Sequence, residues 1–529
     1  MRADKLKRSC VRVKTGCSTC KYVQPLFTRS NLILTISRVR RVKCDEKKPS
    51  CLRCTYTGRK CDGYSITSSR NHLPEATLNG QSKLAARVPL ETSSFYSVPF
   101  QIPGSQSDRQ LFHYFCVHAS SDLAGFSPAC LDFWGKLVVQ CSHHELVVRS
   151  ILIAVASVHR SFAAEDDLGS GFINAMKEYN KAIRRLRKYM RSRETPNRKL
   201  VLMCCALFYC FESIRGEQEW ALHHLKAGLK ILNEAAGPII DKNELDELEP
   251  VKEFFSRLDI QVAIFEDGQL PLLRLISPDE KSGLVSCVPP SFTSFSKAEI
   301  SLNKLENWII HFLISNQQHK SQTQIQMPQV VTQEIQELTE QLKGWEQAFS
   351  VLVTNQTPPS DKERAQTLQN SISISKIQLR CYQIALLSFC PVTDADLANA
   401  RDVFDDILVE ISNVLSRQSS GSNPYLRSFS CDSSIVLSLF FISCKCRDAQ
   451  TRQQALSLLA GTNRREGVWD AQVMGEIVKG IMELELNGAR FPAEENGLSV
   501  EDWAAENFIG LNGGFHTMAG ALNVTKVCL

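Results

Sequence analysis

The feature that most constrains this 529-residue chain is a group of cysteines near its N-terminus. Cys17 and Cys20 form one pair with the spacing Cys-x-x-Cys, and Cys51 and Cys54 form a second. Cys44 precedes the second pair and Cys61 follows it, each separated from the pair by six residues. Thiolates hold Zn²⁺ in tetrahedral geometry, and two cysteines separated by two residues can bind the same ion. Six thiolates can hold two ions if two of them bridge, or one ion with two cysteines to spare. The sequence therefore predicts zinc ligands at Cys17, Cys20, Cys44, Cys51, Cys54 and Cys61.

The surrounding sequence favours reduced thiols. The charged start "MRADKLKRSC" is not followed by a long apolar segment, so we expect no secretion signal. No run of 18 or more apolar residues occurs, so we expect no transmembrane helix and no membrane partner. Thiols of proteins that are not secreted stay reduced, and clustered cysteines then indicate metal ligands. Cys10 has no place in the spacing and is expected to be an ordinary free thiol.

Charge is distributed unevenly along the chain. Residues 1–64 carry 17 Lys and Arg against four Asp and Glu, whereas the remaining residues carry 44 against 52. The N-terminal segment thus has a local balance of +13 on a mildly acidic body. A basic segment of this kind indicates a polyanionic partner, most often nucleic acid.

Composition divides the chain into four regions. Residues 1–64 are basic and rich in cysteine, and residues 65–105 are rich in Ser and Pro, which predicts a flexible linker. Residues 106–490 have helical periodicity, as in "AMKEYNKAIRRLRKYM" and "WALHHLKAGLKIL". The segments "ELVVRSILIAVASVHRSF" and "KLVLMCCALFYCFES" are apolar nearly all round and predict buried helices. We expect an all-α protein with a small zinc-binding segment, a linker, a large helical body and an unassigned tail at 491–529.

Three motifs, "GCSTCK", "RRVKCDEKKPSC" and "LRCTYTGRKCDGY", resemble the binuclear zinc cluster (Zn₂Cys₆) of fungal transcription regulators. The resemblance implies two Zn²⁺ ions bridged by Cys17 and Cys51. Cys20 and Cys44 would complete one ion, and Cys54 and Cys61 the other. The alternatives for these six cysteines are a purely structural zinc module without a nucleic-acid role and a protein-interaction module.

One interval departs from the family pattern. The family has six residues between the second and third cysteines, and this chain has 23. Joining Lys21 directly to Val39 would give "GCSTCKVRRVKC" and restore the spacing, so residues 22–38 are a 17-residue insertion. Seventeen codons are 51 nucleotides, the size of a short fungal intron that keeps the reading frame. We hypothesise that residues 22–38 are translated intron sequence; a natural loop insertion is the alternative.

The same resemblance implies how the head would contact DNA. Arg40 and Arg41 occupy the place of the family's basic pair, and arginine binds guanine bidentately in the major groove. The family usually reads CGG-type triplets. Other basic residues would contact phosphates, which position a protein without encoding sequence. They are Lys21, Lys43, Lys47, Lys48, Arg53, Arg59 and Lys60. Lys47 and Lys48 are equally well explained as solvated surface charges.

The region 107–480 resembles the helical regulatory region found behind many fungal zinc clusters, which implies regulation and no catalysis. The pairs His143-His144 and His223-His224 lack the spacing of a zinc helix, so we expect ordinary polar or half-buried histidines. No phosphate loop or nucleophile elbow occurs. No heptad seam follows Tyr64, so monomeric binding and a homodimer through the body both stay open.

We therefore expect a nuclear, sequence-specific DNA-binding regulator of RNA polymerase II genes, not an enzyme. Its expected partners are double-stranded DNA and the transcription machinery, and pathway-specific control of metabolism or secondary metabolism is an expectation from the family alone. The alternative is an interaction protein that no longer binds DNA because the insertion disrupts its cluster.

Overall fold

The structure is a computed structural model, and it describes most of the helical body. The described residues are 47, 102–165, 170–192, 196–235, 242–265, 269–320, 327–357, 359–389, 394–419 and 427–486. The chain divides into two units, Met1–Ser97 and Val98–Leu529, and all described residues except Lys47 lie in the second. Helices make up 79% of the described part, which confirms the all-α expectation.

The first half of the body contains nine helices among the described residues. They are α1 (Gln106–Tyr114), α2 (Ser120–Ala124), α3 (Pro128–Asp132), α4 (Val139–His144), α5 (Leu146–Ala163), α6 (Ser170–Arg191), α7 (Arg198–Arg215), α8 (Gln218–Ala235) and α9 (Lys242–Phe265). Short π-helical segments, Phe115–Ala119 and Phe133–Val138, connect α1 to α2 and α3 to α4.

The second half adds eight helices and a small sheet to the described fold. The helices are α10 (Pro278–Lys281), α11 (Phe295–Ser315), α12 (Gln329–Asn355), α13 (Lys362–Leu387), α14 (Asp394–Ser419), α15 (Ile435–Lys445), α16 (Ala449–Gly461) and α17 (Ala471–Leu486), with a 3₁₀ turn at Gln317–His319. The strands are β1 (Ser428–Ser430), β2 (Arg464–Glu466) and β3 (Trp469–Asp470).

Local sequence explains where several helices begin. Ser105 caps α1, and the Asp108 carboxylate accepts a hydrogen bond from the Ser105 backbone N–H in return. The Asn197 side chain accepts from the Leu200 N–H at the start of α7, and Asp448 accepts from the Thr451 N–H at the start of α16. Such caps satisfy backbone donors that a helix leaves unpaired, each contributing about 1 kcal/mol.

Helices α5 and α7 are buried, as their apolar sequences predict. Helix α5 is long and apolar enough to cross a membrane, but 89% of its residues are buried inside the fold. It packs against α6 and α7, and α7 buries Leu207, Tyr209 and Phe211 completely. Surrounding helices thus supply the apolar environment that α5 needs, and it is a core helix of this body.

Two hydrophobic cores share helix α9. The N-terminal core is formed by buried apolar side chains that include Phe115, Trp134, Ile151, Leu207 and Phe255. The C-terminal core includes Trp308, Trp345, Ile377, Ile411, Phe440 and Ile477. Helix α9 contributes Leu258 and Val262 to the first core and Ile260 and Ile264 to the second. Because its opposite faces are buried in different cores, α9 joins the two halves of the body.

The small sheet also links the two cores, because Phe429 of β1 belongs to the N-terminal core and Trp469 of β3 to the C-terminal core. β1 pairs in parallel with β2, and β2 pairs antiparallel with β3 across a tight turn. Gly467 in that turn has φ +57°, and a Cβ there would lie 2.9 Å from both Gln261 Oε1 and Tyr209 Oη. Glycine is required at this position because the backbone is left-handed and two side chains approach it closely.

The close approach of α8 to α9 gives a testable prediction. A Cβ on Gly228 would lie 2.2 Å from Cε1 of Phe255, whose ring is fully buried. Gly228→Ala should therefore lower the free energy of unfolding by about 1–3 kcal/mol, the usual cost of overpacking. Denaturant unfolding of the purified chain measures this change.

Gly344 in α12 provides the matched control. Nothing lies within 4 Å of a Cβ at this position, so Gly344→Ala should stabilise the protein by up to about 1 kcal/mol through helix propensity alone. Equal effects of the two substitutions would show that the contact between Gly228 and Phe255 does not limit the packing of α8 on α9.

Candidate functional site

The predicted zinc ligands and the predicted DNA-contacting residues, apart from Lys47, lie outside the described residues. Lys47 is exposed and belongs to neither a helix nor a strand. Its exposure suits a phosphate contact and a solvated surface charge equally well. The zinc and DNA assignments therefore stay predictions from the sequence.

The histidine pairs of the body lie beside aromatic side chains. The imidazole of His224 stacks on Phe208 at 5.0 Å and hydrogen-bonds Tyr179 Oη at 3.3 Å, and burial lowers its pKa to about 4. His143 packs edge-on against Phe112. No group of three or more His, Cys, Asp or Glu in the described part of the chain could hold a metal ion. His143 and His224 are half-buried and His144 and His223 are exposed, which agrees with the polar or half-buried surroundings that the sequence predicts.

Helix α6 presents a basic surface. Arg184, Arg187 and Lys188 are exposed along it, whereas Lys181 forms an ion pair with Glu178 at 2.8 Å and Arg185 donates a hydrogen bond to Ser150 Oγ. These three exposed side chains form a solvated basic face of the helix.

A buried cluster of charges, which sequence analysis did not find, lies between α9, α11 and the segment after β1. Arg257 Nη1 lies 3.1 Å from Glu299 Oε1 and 3.6 Å from Asp432 Oδ2. Glu299 also accepts a hydrogen bond from the Ala129 N–H at 3.1 Å. Glu306 is 9% exposed and accepts no hydrogen bond from the described residues. The cluster thus holds three carboxyl groups around one guanidinium.

Burial and mutual repulsion shift the titration of this cluster. Burial raises the pKa of Glu306 to about 8, although the charge of Arg257 opposes the shift. Burial likewise raises the pKa of Asp432 to about 7, and Glu299 and Glu466 add to the effect while Arg257 and Arg464 oppose it. Burial lowers the pKa of Arg257, but the neighbouring acidic groups, Glu299 foremost, outweigh it, and the net shift is upward. One guanidinium cannot neutralise three buried carboxylates, so two of them retain protons readily.

A cavity of about 70 Å³ adjoins the charged cluster. One part of its wall is charged and is formed by Arg257, Glu306 and Asp432. The remainder is lined mainly by apolar side chains from α9, α11, α13 and α15: Ile260, Ile264, Ile310, Leu313, Ala385, Leu437 and Phe441. The volume is that of a few atoms and is far below the range typical of drug-sized ligands.

Glu466 forms a second buried polar site, with a structural role. Its carboxylate accepts hydrogen bonds from the backbone N–H groups of Ser434, Ile435 and Val436 at 2.7–3.2 Å, at the N-terminus of α15. Arg464 Nε donates to it at 2.6 Å. A carboxylate at this end complements the helix dipole, so Glu466 fixes α15 onto the sheet.

Two family descriptions match this chain. "Fungal specific transcription factor domain" matches residues 110–481, which is most of the body described above. "Fungal Zn(2)-Cys(6) binuclear cluster domain" matches residues 38–71. The second match includes Cys44, Cys51, Cys54 and Cys61 and leaves out Cys17 and Cys20. A binuclear cluster of this type holds two zinc ions.

Fungal regulators are among the similar proteins. The chain is 28% identical over 281 residues to the aspercryptin biosynthesis cluster-specific transcription regulator atnN of Emericella nidulans, covering 50% of this chain and 41% of atnN. It is 28% identical over 223 residues to transcription regulator lscL of Purpureocillium lilacinum, covering 40% of this chain and 51% of lscL. It is 47% identical over 127 residues to transcriptional regulatory protein moc3 of Schizosaccharomyces pombe, covering 23% and 22%. The chain thus matches about half or less of each relative's length.

No solved structure shows significant similarity to this chain. The assignment therefore rests on the matched sequence regions. The match at 110–481 covers well over half of the chain, and the cluster match precedes it. The chain belongs to the fungal-specific transcription factor family with a Zn(2)-Cys(6) cluster, a family of regulators with a nuclear role and not of enzymes.

Proposed function

We propose that this protein is a sequence-specific DNA-binding regulator of RNA polymerase II genes that uses a binuclear zinc cluster to read CGG-type sites. The observation that carries the proposal is the combination of a cluster match at 38–71 with a regulatory-domain match at 110–481. The balance of +13 in residues 1–64 supports it, because phosphate neutralisation supplies much of DNA affinity. Contact with the transcription machinery, and dimerisation through the body where it occurs, belong to the same proposal.

The proposed zinc ligands are the six cysteines at positions 17, 20, 44, 51, 54 and 61. Thiolates are the donor set that zinc prefers, so the residues fit the metal. The cluster match begins at Arg38, the last residue of the insertion, which supports an interruption between Cys20 and Cys44. Lengthening this loop about fourfold costs only about 1 kcal/mol, well below the 10–16 kcal/mol that structural zinc provides. Zinc binding should therefore tolerate the insertion.

DNA recognition should tolerate the insertion less well. In the family arrangement the basic pair follows the second cysteine closely, whereas residues 22–38 separate Arg40 and Arg41 from Cys20. The two arginines then lose the short connection that orients them in the groove. We propose that the DNA-reading form of the protein joins Lys21 directly to Val39.

Sequencing of cDNA across the codons for Lys21 and Val39 tests the origin of the insertion. Transcripts that join these codons directly would identify residues 22–38 as translated intron. Transcripts that all retain the 51 nucleotides would identify a natural insertion and favour the alternative function below.

Substitution of the basic pair tests base reading. In the chain lacking residues 22–38, Arg40→Ala or Arg41→Ala should weaken binding to a CGG duplex about 10- to 100-fold, because each bidentate contact contributes about 1–3 kcal/mol of discrimination. Fluorescence anisotropy with a labelled duplex measures this loss. A scrambled duplex should be affected much less.

Lys60→Ala is the matched control for these substitutions. As a proposed phosphate contact, Lys60 should weaken binding to both duplexes equally and reduce the salt slope by about one. A selective loss of CGG binding in the Lys60 variant, with none in the arginine variants, would contradict the assigned roles.

A second candidate function is an interaction or regulatory protein that does not bind DNA. It is favoured by one observation: the cluster match leaves out Cys17 and Cys20. In that case the 529-residue chain binds partners through its helical body while its zinc segment reads no sequence. CGG-specific binding by the chain that retains residues 22–38 would exclude this candidate.

The similarity to atnN suggests the kind of genes under control. That relative is named as a cluster-specific regulator of aspercryptin biosynthesis. We include in the proposal that this protein controls one pathway, in metabolism or secondary metabolism. Deletion of its gene should then change the transcripts of one group of related genes, whereas a broad change across unrelated genes would argue against pathway specificity.

A further inference from the structure

The wall of the cavity between α9, α11 and α15 is divided into a charged part and an apolar part. On α9, Arg257 precedes Ile260 and Ile264 by three and seven residues, so the three share a helix face. On α11, Glu306 precedes Ile310 and Leu313 in the same manner. Each of these helices therefore presents one charged residue followed by apolar ones to the cavity.

The charged part has more acidic groups than basic ones. Arg257 is engaged through Nη1 by Glu299 at 3.1 Å and by Asp432 at 3.6 Å, whereas its Nη2 is buried and has no hydrogen-bond partner among the described residues. Glu306 accepts no hydrogen bond from the described residues although its side chain is nine-tenths buried. Buried carboxyl groups normally have partners, so the Glu306 carboxyl on the cavity wall is open to a donor group of a molecule in the cavity.

We propose that this cavity binds a small amphipathic primary amine, with its ammonium group against Glu306 and Asp432 and its short apolar chain along Ile260, Ile310 and Leu437. An ammonium group supplies three N–H donors, which the two carboxyl groups can accept. It also provides the positive charge that Arg257 alone does not supply to three carboxylates. An anionic ligand could reach Arg257 Nη2 but would then lie beside the carboxyl groups of Glu306 and Asp432, so the excess of acidic groups disfavours it.

Binding should depend on pH. Glu306 and Asp432 have raised pKa values of about 8 and about 7, and the ionisable groups facing them are Arg257, Glu299, Arg464 and Glu466. An alkylammonium resembles the lysine side chain, which stays protonated below about pH 10. Binding of the cation must therefore release protons from the carboxyl groups, and affinity should increase up to about tenfold per pH unit between about pH 6 and 7 and then level off above about pH 8.

The test uses the purified 529-residue chain and n-butylamine, followed by saturation-transfer NMR. We expect a Kd on the order of 1 mM at about pH 8.5, a range that a ligand of five heavy atoms can reach. n-Butanol and n-butyrate serve as neutral and anionic controls and should bind at least about tenfold more weakly. Tighter binding of butyrate, or no amine binding at about 20 mM, would overturn the proposal.

Two variants locate the probe. Glu306→Gln keeps the shape of the side chain but removes its charge, and should weaken butylamine binding at least about tenfold. Ala385→Leu fills the apolar wall and should block the probe without changing any charge. Far-UV circular dichroism reports whether each variant folds. If Glu306→Gln does not fold, Ala385→Leu alone tests whether the amine binds in this cavity. Glu476→Gln, on the exposed side of α17, is the control and should bind as the unsubstituted chain does. Unchanged binding in both cavity variants would place the amine elsewhere and contradict the site.

Discussion

Replacing Cys51 with serine should reduce the zinc content of the chain from two ions to nearly none. In the proposed family arrangement Cys51 would bridge both ions, so its loss would remove one ligand from each of two tetrahedral sites. Folding of such a small cluster depends on its metal, and the zinc-dependent free energy of about 10–16 kcal/mol would be lost with it. Elemental analysis of the purified chain measures the stoichiometry. Cys54 would bind only one of the two ions, so Cys54→Ser should release that ion before the other.

Cys10→Ser is the control for this experiment, because Cys10 has no place in the cluster spacing. This variant should retain two zinc ions per chain. Equal zinc loss in the Cys10 and Cys51 variants would contradict the ligand assignment. One ion per chain in the unsubstituted protein would indicate a single four-cysteine site with two spare cysteines.

Replacing Glu466 with glutamine should lower the free energy of unfolding by about 3–5 kcal/mol. The substitution removes the charge that the N-terminus of α15 and Arg464 both require. The side chain of Arg464 is only 5% exposed and would be left as a buried charge without its closest partner. Urea unfolding followed by tryptophan fluorescence measures the change, with Trp469 fully buried on the neighbouring strand as a reporter.

Glu476→Gln is the matched control for Glu466→Gln. Glu476 forms an exposed i, i+3 pair with Lys479 at 2.6 Å, and exposed pairs of this kind contribute about 0–1 kcal/mol. The difference between the two variants should therefore be several kcal/mol. Similar stabilities would show that Glu466 does not hold α15 in place.

Much of the helical body could be predicted from local sequence patterns. The apolar segments of α5 and α7 predict buried helices, and the three- and four-residue spacing in "AMKEYNKAIRRLRKYM" predicts α6. The structure confirms both predictions. They could be made from sequence because helix periodicity is a local property that does not depend on tertiary contacts. Cys204, Cys205 and Cys210 are buried in α7, as the apolar character of that segment predicts.

The features that sequence analysis missed depend on distant residues. The strands are two or three residues long, too short to show an alternating pattern, and β1 pairs with β2 from more than 30 residues away. Arg257, Glu299 and Asp432 are each ordinary charged residues in the sequence, and only the packing of α9 against α11 and the segment after β1 brings them together. Nothing in the sequence marks Glu306 or Glu466 as buried. The predicted zinc segment, in contrast, is visible in sequence spacing alone because thiolate ligation imposes that spacing directly.

Binding of a CGG duplex by two forms of the zinc-loaded chain would show whether the protein reads DNA through its zinc cluster. One form is the 529-residue chain, and the other lacks residues 22–38. We expect the shortened form to prefer the CGG duplex over a scrambled duplex by at least about 10³-fold, within the range of specific DNA-binding proteins. We expect the 529-residue form to retain its zinc but to lose most of this preference. If neither zinc-loaded form prefers the CGG duplex, the protein does not read CGG-type sites through its cluster.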